Sequence, residues 1–281
     1  MKSSFRAIAT YPAPLRLGIF LLTLLIIWLP LAAPIYLLLR SDPNLTTIIT
    51  MGLLFVEFLV LLPIWGQKIH QQNHIFRCYG LSTTQSNRLG LHQGLVLGLL
   101  STLALFTVEG YLGWLTFEPP TLSIARIVFE GLLSGLGVAF AEELFFRGWL
   151  WDELQRDYPS SIAVWATGLI FALLHFLQPL EQMLDNALAF PGLVLMGMTL
   201  VWAKQKAGGL LGLPIGIHGG MVWGFYILDI GNLFQYTGKV PAWVTTVNGH
   251  PFAGIMGLLA LSLLALWTRG SRFGTTPKGY Q

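Results

Sequence analysis

The segment Phe140–Gly148 places three ionisable side chains, Glu142, Glu143 and Arg147, beside an apolar run. Charged residues at the centre of a membrane helix cost roughly 2.5–3.5 kcal/mol each, so adjacent carboxylates at depth need a compensating role. On a helix, Glu143 and Arg147 are four residues apart with the acid on the N-terminal side, which favours an ion pair. Glu142 lies about 100° around the helix from Glu143. We therefore predict that Arg147 neutralises Glu143 and that Glu142 faces another partner.

Two histidines, His175 and His218, lie in separate apolar stretches. Together with Glu142 they form a set that can polarise and deprotonate water. The carboxylate would act as general base, while an imidazole orients the water or donates to an oxyanion. The same set is also the two-His, one-Glu ligand group of hydrolytic zinc sites. A divalent metal such as zinc is therefore an open alternative, with Glu142, His175 and His218 as its predicted ligands.

Simpler interpretations exist for the acidic pair and for the other ionisable residues. Helix ends collect charge, so the acidic pair could simply mark the point where a helix leaves the membrane. His70 lies in a basic loop and His250 in another loop, and both are predicted to be solvated. Glu57 and Glu109 are single acids in apolar stretches, where they could line a cavity or cap a network. None of these four is predicted to be catalytic.

The composition shows which elements must hold these residues. Of the 281 residues, 54% are hydrophobic and only 10% are charged, less than half of the roughly 25% usual in soluble domains. An ordinary soluble globular protein is thus excluded. The net charge of +3 is too small to indicate nucleic acid as a partner. The single Cys78 excludes an internal disulfide and a cysteine-cluster metal site.

Apolar stretches of about 20 residues predict an all-α, polytopic membrane helical bundle with about eight transmembrane helices. We expect one integral membrane domain over residues 1–281, because no long linker or fixed-period repeat is present. The glycine pairs Gly94/Gly98 and Gly131/Gly135 are assigned a role in close helix packing. The eight predicted spans are Leu17–Leu39, Leu45–Gly66, Leu89–Val108, about 122–150, Pro159–Leu180, Asn186–Ala203, Ala207–Leu228 and Pro251–Thr268.

The distribution of basic residues predicts the orientation. With the N-terminus in the cytoplasm, 13 of the 16 basic residues face that side and only Arg40, Arg126 and Lys239 face the other. Membrane proteins concentrate lysine and arginine in cytoplasmic loops. We therefore predict a multi-pass protein of a bacterial plasma membrane or an internal membrane, with both termini cytoplasmic.

In its motif residues the chain resembles the CPBP intramembrane proteases, which include the CAAX prenyl endopeptidases and bacteriocin-processing or immunity-associated relatives. The resemblance covers roughly residues 122–230, a protease-like motif core, and three motifs carry it in chain order on successive apolar spans. These are Glu-Glu-x-x-x-Arg, Phe-x-x-x-His, and a His followed four residues later usually by Asn. The matching residues are Glu142, Glu143, Arg147, Phe171, His175 and His218.

The resemblance implies an intramembrane endopeptidase that hydrolyses a peptide bond of a membrane-associated protein or peptide substrate. Glu142 would activate the water with help from His175, and His218 would lie nearer the oxyanion. The usual Asn is replaced by Val222, which has no hydrogen-bond donor, although its neighbour Trp223 has an indole N–H. The enzyme type, metalloprotease or glutamate-dependent protease, stays open.

Two alternatives come from other classes of protein. A catalytically inactive family member could keep the polar cluster for stability and act as a membrane scaffold or immunity-type protein. A proton-coupled transporter could use the same acid and histidines as a relay. Inverted repeats would favour the transporter, and the sequence shows none.

Overall fold

The fold is given by a computed structural model, which describes residues 2–120, 122–177, 179–247 and 249–270. A π-helical segment, Leu144–Leu150, lies between the helices Ile124–Glu143 and Trp151–Gln155, and 3-10 turns occur at Ala187–Ala189 and Pro251–Ala253. The α-helices are α1 (Lys2–Ile8), α2 (Ala13–Leu38), α3 (Pro43–Lys68), α4 (Ile75–Cys78), α5 (Gln85–Tyr111), α6 (Ile124–Glu143), α7 (Trp151–Gln155), α8 (Ser160–His175), α9 (Leu180–Asp185), α10 (Phe190–Lys206), α11 (Gly212–Ile230), α12 (Ala242–Thr245) and α13 (Ile255–Arg269).

Two short strands accompany the helices and were not expected from the sequence. β1 (Leu115–Phe117) follows α5, and β2 (Phe234–Tyr236) follows α11. They pair antiparallel, with Thr116 opposite Gln235. Residues from both strands pack on Phe106 and Leu228, so the pair closes one end of the α5–α11 contact.

The prediction of a polytopic helical membrane protein is confirmed. Over the described residues, six helices are long and apolar enough to cross a membrane: α2, α3, α5, Ile124–Gln155, Ala187–Lys206 and α11. The other two predicted spans correspond to α8 and α13, which have 16 and 15 residues. At 1.5 Å per residue these helices are about 24 and 22 Å long, shorter than the roughly 30 Å hydrocarbon core of a bilayer.

The orientation with both termini cytoplasmic stays a prediction. Two of the basic residues that support it, Arg272 and Lys278, lie outside the described residues.

Side-chain caps and prolines fix where the long helices begin. Asp42 precedes α3 and accepts a hydrogen bond from the Leu45 amide at 3.0 Å, while Pro43 occupies the first helical position. Proline is favoured there because its missing N–H would have no partner inside the helix. Thr84 caps α5 in the same manner through the amide of Asn87.

The chain divides into two compact units. The first contains the chain up to Tyr79 together with Asp152–Tyr158, and the second contains Gly80–Trp151 and the chain from Pro159 onward. The first unit is built on α2 and α3 and has the fully buried Arg16 in its interior. The expectation of a single membrane domain stays a prediction.

Glycines in the second unit let α11 approach α5 and α6 closely. A Cβ on Gly98 would overlap the Ile217 carbonyl oxygen of α11. On the opposite side, a Cβ on Gly135 of α6 would lie 2.7 Å from the Gly219 carbonyl oxygen. The packing role that the sequence assigns to the glycine pairs is therefore confirmed for both of these residues. The close approach places His218, one residue before Gly219, against the end of α6.

Candidate active site

Arg147 is the buried centre of the acidic segment. It lies in the π-helical segment after α6 and is fully shielded from solvent. Its Nη1 donates to Glu143 Oε1 at 2.8 Å, and its Nη2 donates to the Gly197 carbonyl oxygen on α10 at 2.9 Å. The ion pair predicted from the spacing of Glu143 and Arg147 is thus present, and α10 supplies a second acceptor.

His218 approaches the acidic pair from α11. Its Nδ1 lies 2.9 Å from Glu143 Oε1. Because Glu143 is an ion-paired carboxylate and can only accept, Nδ1 must donate this hydrogen bond. The opposite ring nitrogen, Nε2, lies 4.0 Å from Glu142 Oε2. Glu143 therefore fixes the orientation of His218 and directs its Nε2 toward Glu142.

His175 approaches from the C-terminal end of α8. Its Nδ1 donates to the Phe171 carbonyl oxygen at 2.8 Å, and its Nε2 lies 3.6 Å from Glu142 Oε2. The Phe171 ring lies against the imidazole, with ring centroids 4.3 Å apart. The same ring receives the Arg147 guanidinium, whose Cζ is 4.6 Å from the ring centroid. Phe171 thus packs between the imidazole and the guanidinium.

Glu142 is the carboxylate that the two imidazoles share. Among the described residues, its Oε2 has no hydrogen-bond partner, although the atom itself is buried. The side chain as a whole is 28% exposed, whereas Glu143 and Arg147 are fully buried. The structure therefore brings all five predicted site residues together and separates the acids into one that is ion-paired and one that faces two imidazoles.

A largely apolar cavity of about 260 Å³ adjoins this group. His175 forms part of its wall, together with residues of α10, α11 and the turn before α13. Val222, at the position where the family usually has Asn, also lines the cavity. Among the described residues, the polar side chains in the wall are those of His175, Asn186 and His250. His250 was predicted to be a solvated loop residue, and its position at the cavity is a finding of the structure.

Two contacts at the site are not evident from the motifs. Lys204 of α10 is buried, and its Nζ donates to the Arg147 carbonyl oxygen at 2.5 Å. No local pattern could have revealed this contact, because it joins residues 57 positions apart. Trp223 donates its indole N–H to the Val128 carbonyl oxygen on α6 at 2.9 Å. Because that N–H is engaged between helices, Trp223 is not placed to replace the missing Asn as a donor.

Glu142, His175 and His218 are also the predicted ligands of a metal ion. A zinc ion requires its ligand atoms at roughly 2.0–2.2 Å around a common centre. Within the described part of the chain, no group of three His, Cys, Asp or Glu side chains has an arrangement that could hold a metal ion. The reaction below is therefore derived from the side chains themselves.

The fold and the site together define a multi-pass membrane protein with a polar Glu–His group on apolar helices. A family model described as type II CAAX prenyl endopeptidase, Rce1-like, matches residues 124–224. The match contains all five predicted site residues and confirms the resemblance to CPBP family proteases. Searches of curated proteins and of solved structures found no match.

Proposed function

We propose that the protein is an intramembrane endopeptidase in which Glu142 activates the attacking water. The observation that carries this proposal is the position of Glu142 Oε2. It has no hydrogen-bond partner among the described residues and lies 3.6 and 4.0 Å from the Nε2 atoms of His175 and His218. A buried carboxylate oxygen without a donor is costly, and a bound water would satisfy it.

The hydrogen bonds of the two imidazoles support a water at this position. Both donate through Nδ1, His175 to a carbonyl oxygen and His218 to Glu143. In the neutral imidazole, the opposite nitrogen then carries a lone pair. Glu142 and the two Nε2 atoms are thus three acceptors facing one another. A water has two hydrogens to donate, one to Glu142 and one to an imidazole.

In the proposed reaction, Glu142 removes a proton from this water while the oxygen attacks the carbonyl carbon of the substrate peptide bond. The carbonyl oxygen becomes an oxyanion, and an imidazole that has taken up a further proton from solvent can stabilise it by donating its Nε2–H. The protonated Glu142 then delivers its proton to the amide nitrogen as the C–N bond breaks. The products are a new carboxyl group and a new amine, and Glu142 is regenerated.

Glu143 and Arg147 serve a positioning role in this proposal. The carboxylate of Glu143 binds both Arg147 and His218 through the same Oε1 atom. The guanidinium compensates the buried charge, which would otherwise be expensive. The imidazole of His218 is then held in one orientation by a charge-assisted hydrogen bond.

The apolar cavity beside His175 supports a membrane-associated protein or peptide as the substrate. Its wall is formed largely by aliphatic, aromatic and methionine side chains. Such a wall favours apolar substrate side chains, because burial of apolar surface supplies the binding energy. Prenylated proteins are what the matching family is named for, and the cavity by itself does not require a prenyl group.

The test is cleavage by the purified protein in liposomes, assayed by mass spectrometry on synthetic single-span peptides that differ at both ends. Glu142→Gln should lower cleavage by about 10²–10⁴-fold. Glu130→Gln is the matched control, because Glu130 lies on the same helix and forms an exposed ion pair with Arg126. Loss of cleavage in both variants, or retained cleavage in Glu142→Gln, would contradict the proposal.

One observation favours a second candidate, a catalytically inactive family member. Val222 lines the cavity and offers no donor to an oxyanion. A scaffold or immunity-type protein would keep the Glu143–Arg147 pair for stability and cleave none of the peptides. The wild-type protein and the Glu142→Gln variant would then co-purify equally well with an intact partner membrane protein. The endopeptidase would instead retain an intact partner only in the Glu142→Gln variant.

A further inference from the structure

Lys204 is a buried cation that belongs to none of the three sequence motifs. Only 5% of its surface is exposed, and its Nζ donates to the backbone carbonyl oxygen of Arg147. Burying an ammonium group is unfavourable unless it is well bonded. The role of Lys204 therefore depends on the effect of this hydrogen bond on the segment that contains Arg147.

The π-helical segment changes the backbone bonding at Arg147. In an α-helix, the Trp151 amide would donate to the carbonyl oxygen four residues earlier, that of Arg147. Here it donates to the carbonyl oxygens of Phe146 and Gly148. Lys204 supplies a donor to the Arg147 carbonyl from a neighbouring helix. Single π turns are rare and occur frequently at functional sites.

The same helix, α10, also binds the side chain of Arg147. The Gly197 carbonyl oxygen accepts from Nη2 of Arg147 at 2.9 Å. Gly197 and Lys204 are seven residues apart, which places them two turns apart on one face of α10. Arg147 is thus held at its guanidinium and at its carbonyl by one rigid element. Its guanidinium in turn binds the Glu143 oxygen that orients His218.

We propose that Lys204 is a positioning residue for the site: it stabilises the π turn at Arg147 and, through Arg147 and Glu143, sets the orientation of His218. This inference rests on the proposed function for its kinetic consequence but not for its structural one. The orientation of His218 can be measured whether or not the protein cleaves a peptide.

The test compares Lys204→Met with Lys206→Met. Lys206 lies on the same helix, is 6% exposed, and donates its Nζ to the Trp267 carbonyl oxygen at 2.9 Å, away from the site. Both changes remove one buried ammonium from α10. The readouts are the kcat and KM of cleavage and the ¹⁵N NMR signal of His218 Nδ1 in lipid. The signal is assigned among the six histidines by its loss in His218→Gln.

We expect Lys204→Met to lower kcat by about 10–100-fold, because misplacing a reacting group by about 1 Å can cost up to about 100-fold, with KM little changed. The His218 Nδ1 signal should shift in Lys204→Met and not in Lys206→Met, and Lys204→Arg should recover part of kcat. An unshifted signal, or equal losses of kcat in the two methionine variants, would overturn the inference. If Lys204→Met does not fold, Lys204→Gln is read by the same criteria.

These outcomes separate the two proposals. If the wild-type protein cleaves no peptide, the proposed function fails, and the NMR comparison alone still decides the role of Lys204. If Glu142→Gln lowers cleavage as expected while Lys204→Met retains full kcat and an unshifted His218 signal, the role of Lys204 fails and the proposed function stands.

Discussion

Glu153 in the first unit and Glu142 in the second are both carboxylates on a largely apolar helix, but their surroundings differ. Glu153 is fully buried, and both of its oxygens are bonded. Arg16 Nε donates to Oε2 at 2.7 Å, and Trp65 Nε1 donates to Oε1 at 2.8 Å. His70 Nε2 also lies 2.5 Å from Oε1. Every oxygen of this carboxylate has at least one partner.

Glu142 has the opposite arrangement. Its Oε2 has no hydrogen-bond partner among the residues that the structure describes, and its neighbours are two imidazole nitrogens beyond hydrogen-bond distance. Both oxygens of Glu153 accept hydrogen bonds from other parts of the first unit and so connect those parts. A carboxylate oxygen without a donor among the described residues, such as Oε2 of Glu142, can accept a proton from a bound water. What sets Glu142 apart is thus an unpartnered oxygen that faces two imidazoles, whereas both oxygens of Glu153 are bonded.

The largest expected effect comes from exchanging carboxylate for amide in each cluster. Glu142→Gln should lower cleavage by about 10²–10⁴-fold, the range for loss of a general base, and should leave stability nearly unchanged. Glu153→Gln should lower stability and leave kcat per folded molecule unchanged. Cleavage rates are measured beside thermal unfolding in detergent. Equal loss of stability in the two variants would remove the distinction between the clusters.

The next effect comes from removing the arginine of each cluster. Arg16→Met and Arg147→Met should each lower the free energy of unfolding by about 3–5 kcal/mol, because each leaves a buried carboxylate without its cation. Only Arg147→Met should also lower kcat per folded molecule, since only Arg147 binds the Glu143 oxygen that orients His218. Fraction folded is measured by size-exclusion chromatography before each assay. A kcat lost equally in Arg16→Met would contradict this.

Local spacing and motif order predicted much of the site. The four-residue separation of Glu143 and Arg147 was enough to predict their ion pair, because helix geometry alone brings such residues together. The cost of leaving Glu142, His175 and His218 alone in an apolar environment predicted that they would converge. Long apolar stretches predicted the helical membrane fold for the same physical reason.

The depth of the site residues along their helices was harder to predict. If the helix with Glu142 ended near Leu150, Glu142 would lie near the cytoplasmic end and His175 near the outer end. The helix instead continues to Gln155, 13 residues beyond Glu142, or about 20 Å at 1.5 Å per residue. His175 is 15 residues from the start of α8, about 22 Å. Glu142 and His175 thus lie at similar heights above the ends of their helices at Gln155 and Ser160. This is compatible with the short distance between their side chains.

Contacts between distant residues could not be predicted either. His70 was interpreted as a solvated loop residue, and that interpretation is wrong: its side chain is 3% exposed and binds Glu153, 83 residues away. The π turn at Arg147 has no local sequence signal, because it depends on bonds from other helices. Such pairings are set by tertiary packing rather than by residue type or spacing.

A smaller effect is expected from removing one neutral hydrogen-bond donor to Glu153. Trp65→Phe keeps the aromatic ring and removes the hydrogen bond to Glu153, so stability should fall by about 1.5–3 kcal/mol, the range for bonds to charged groups. Trp28→Phe is the control, because Trp28 donates to the neutral Thr50 carbonyl oxygen at 3.0 Å in the same unit. Its loss should cost about 0.5–1.5 kcal/mol. Chemical denaturation in detergent measures both, and a larger loss in Trp28→Phe would contradict the ranking.

The smallest effect is expected from chelation, which tests whether Glu142 acts as a base or as a metal ligand. In the proposed reaction, Glu142 lowers the barrier by accepting a proton from water, and the imidazoles act through hydrogen bonds. Cleavage should therefore continue at an unchanged rate after exhaustive treatment with EDTA and 1,10-phenanthroline. Elemental analysis of the same sample shows whether any metal was retained. Loss of cleavage on chelation, restored by added zinc, would instead assign Glu142, His175 and His218 as ligands of a catalytic ion. Glu142 would then face the imidazoles to share that ion rather than to accept a proton.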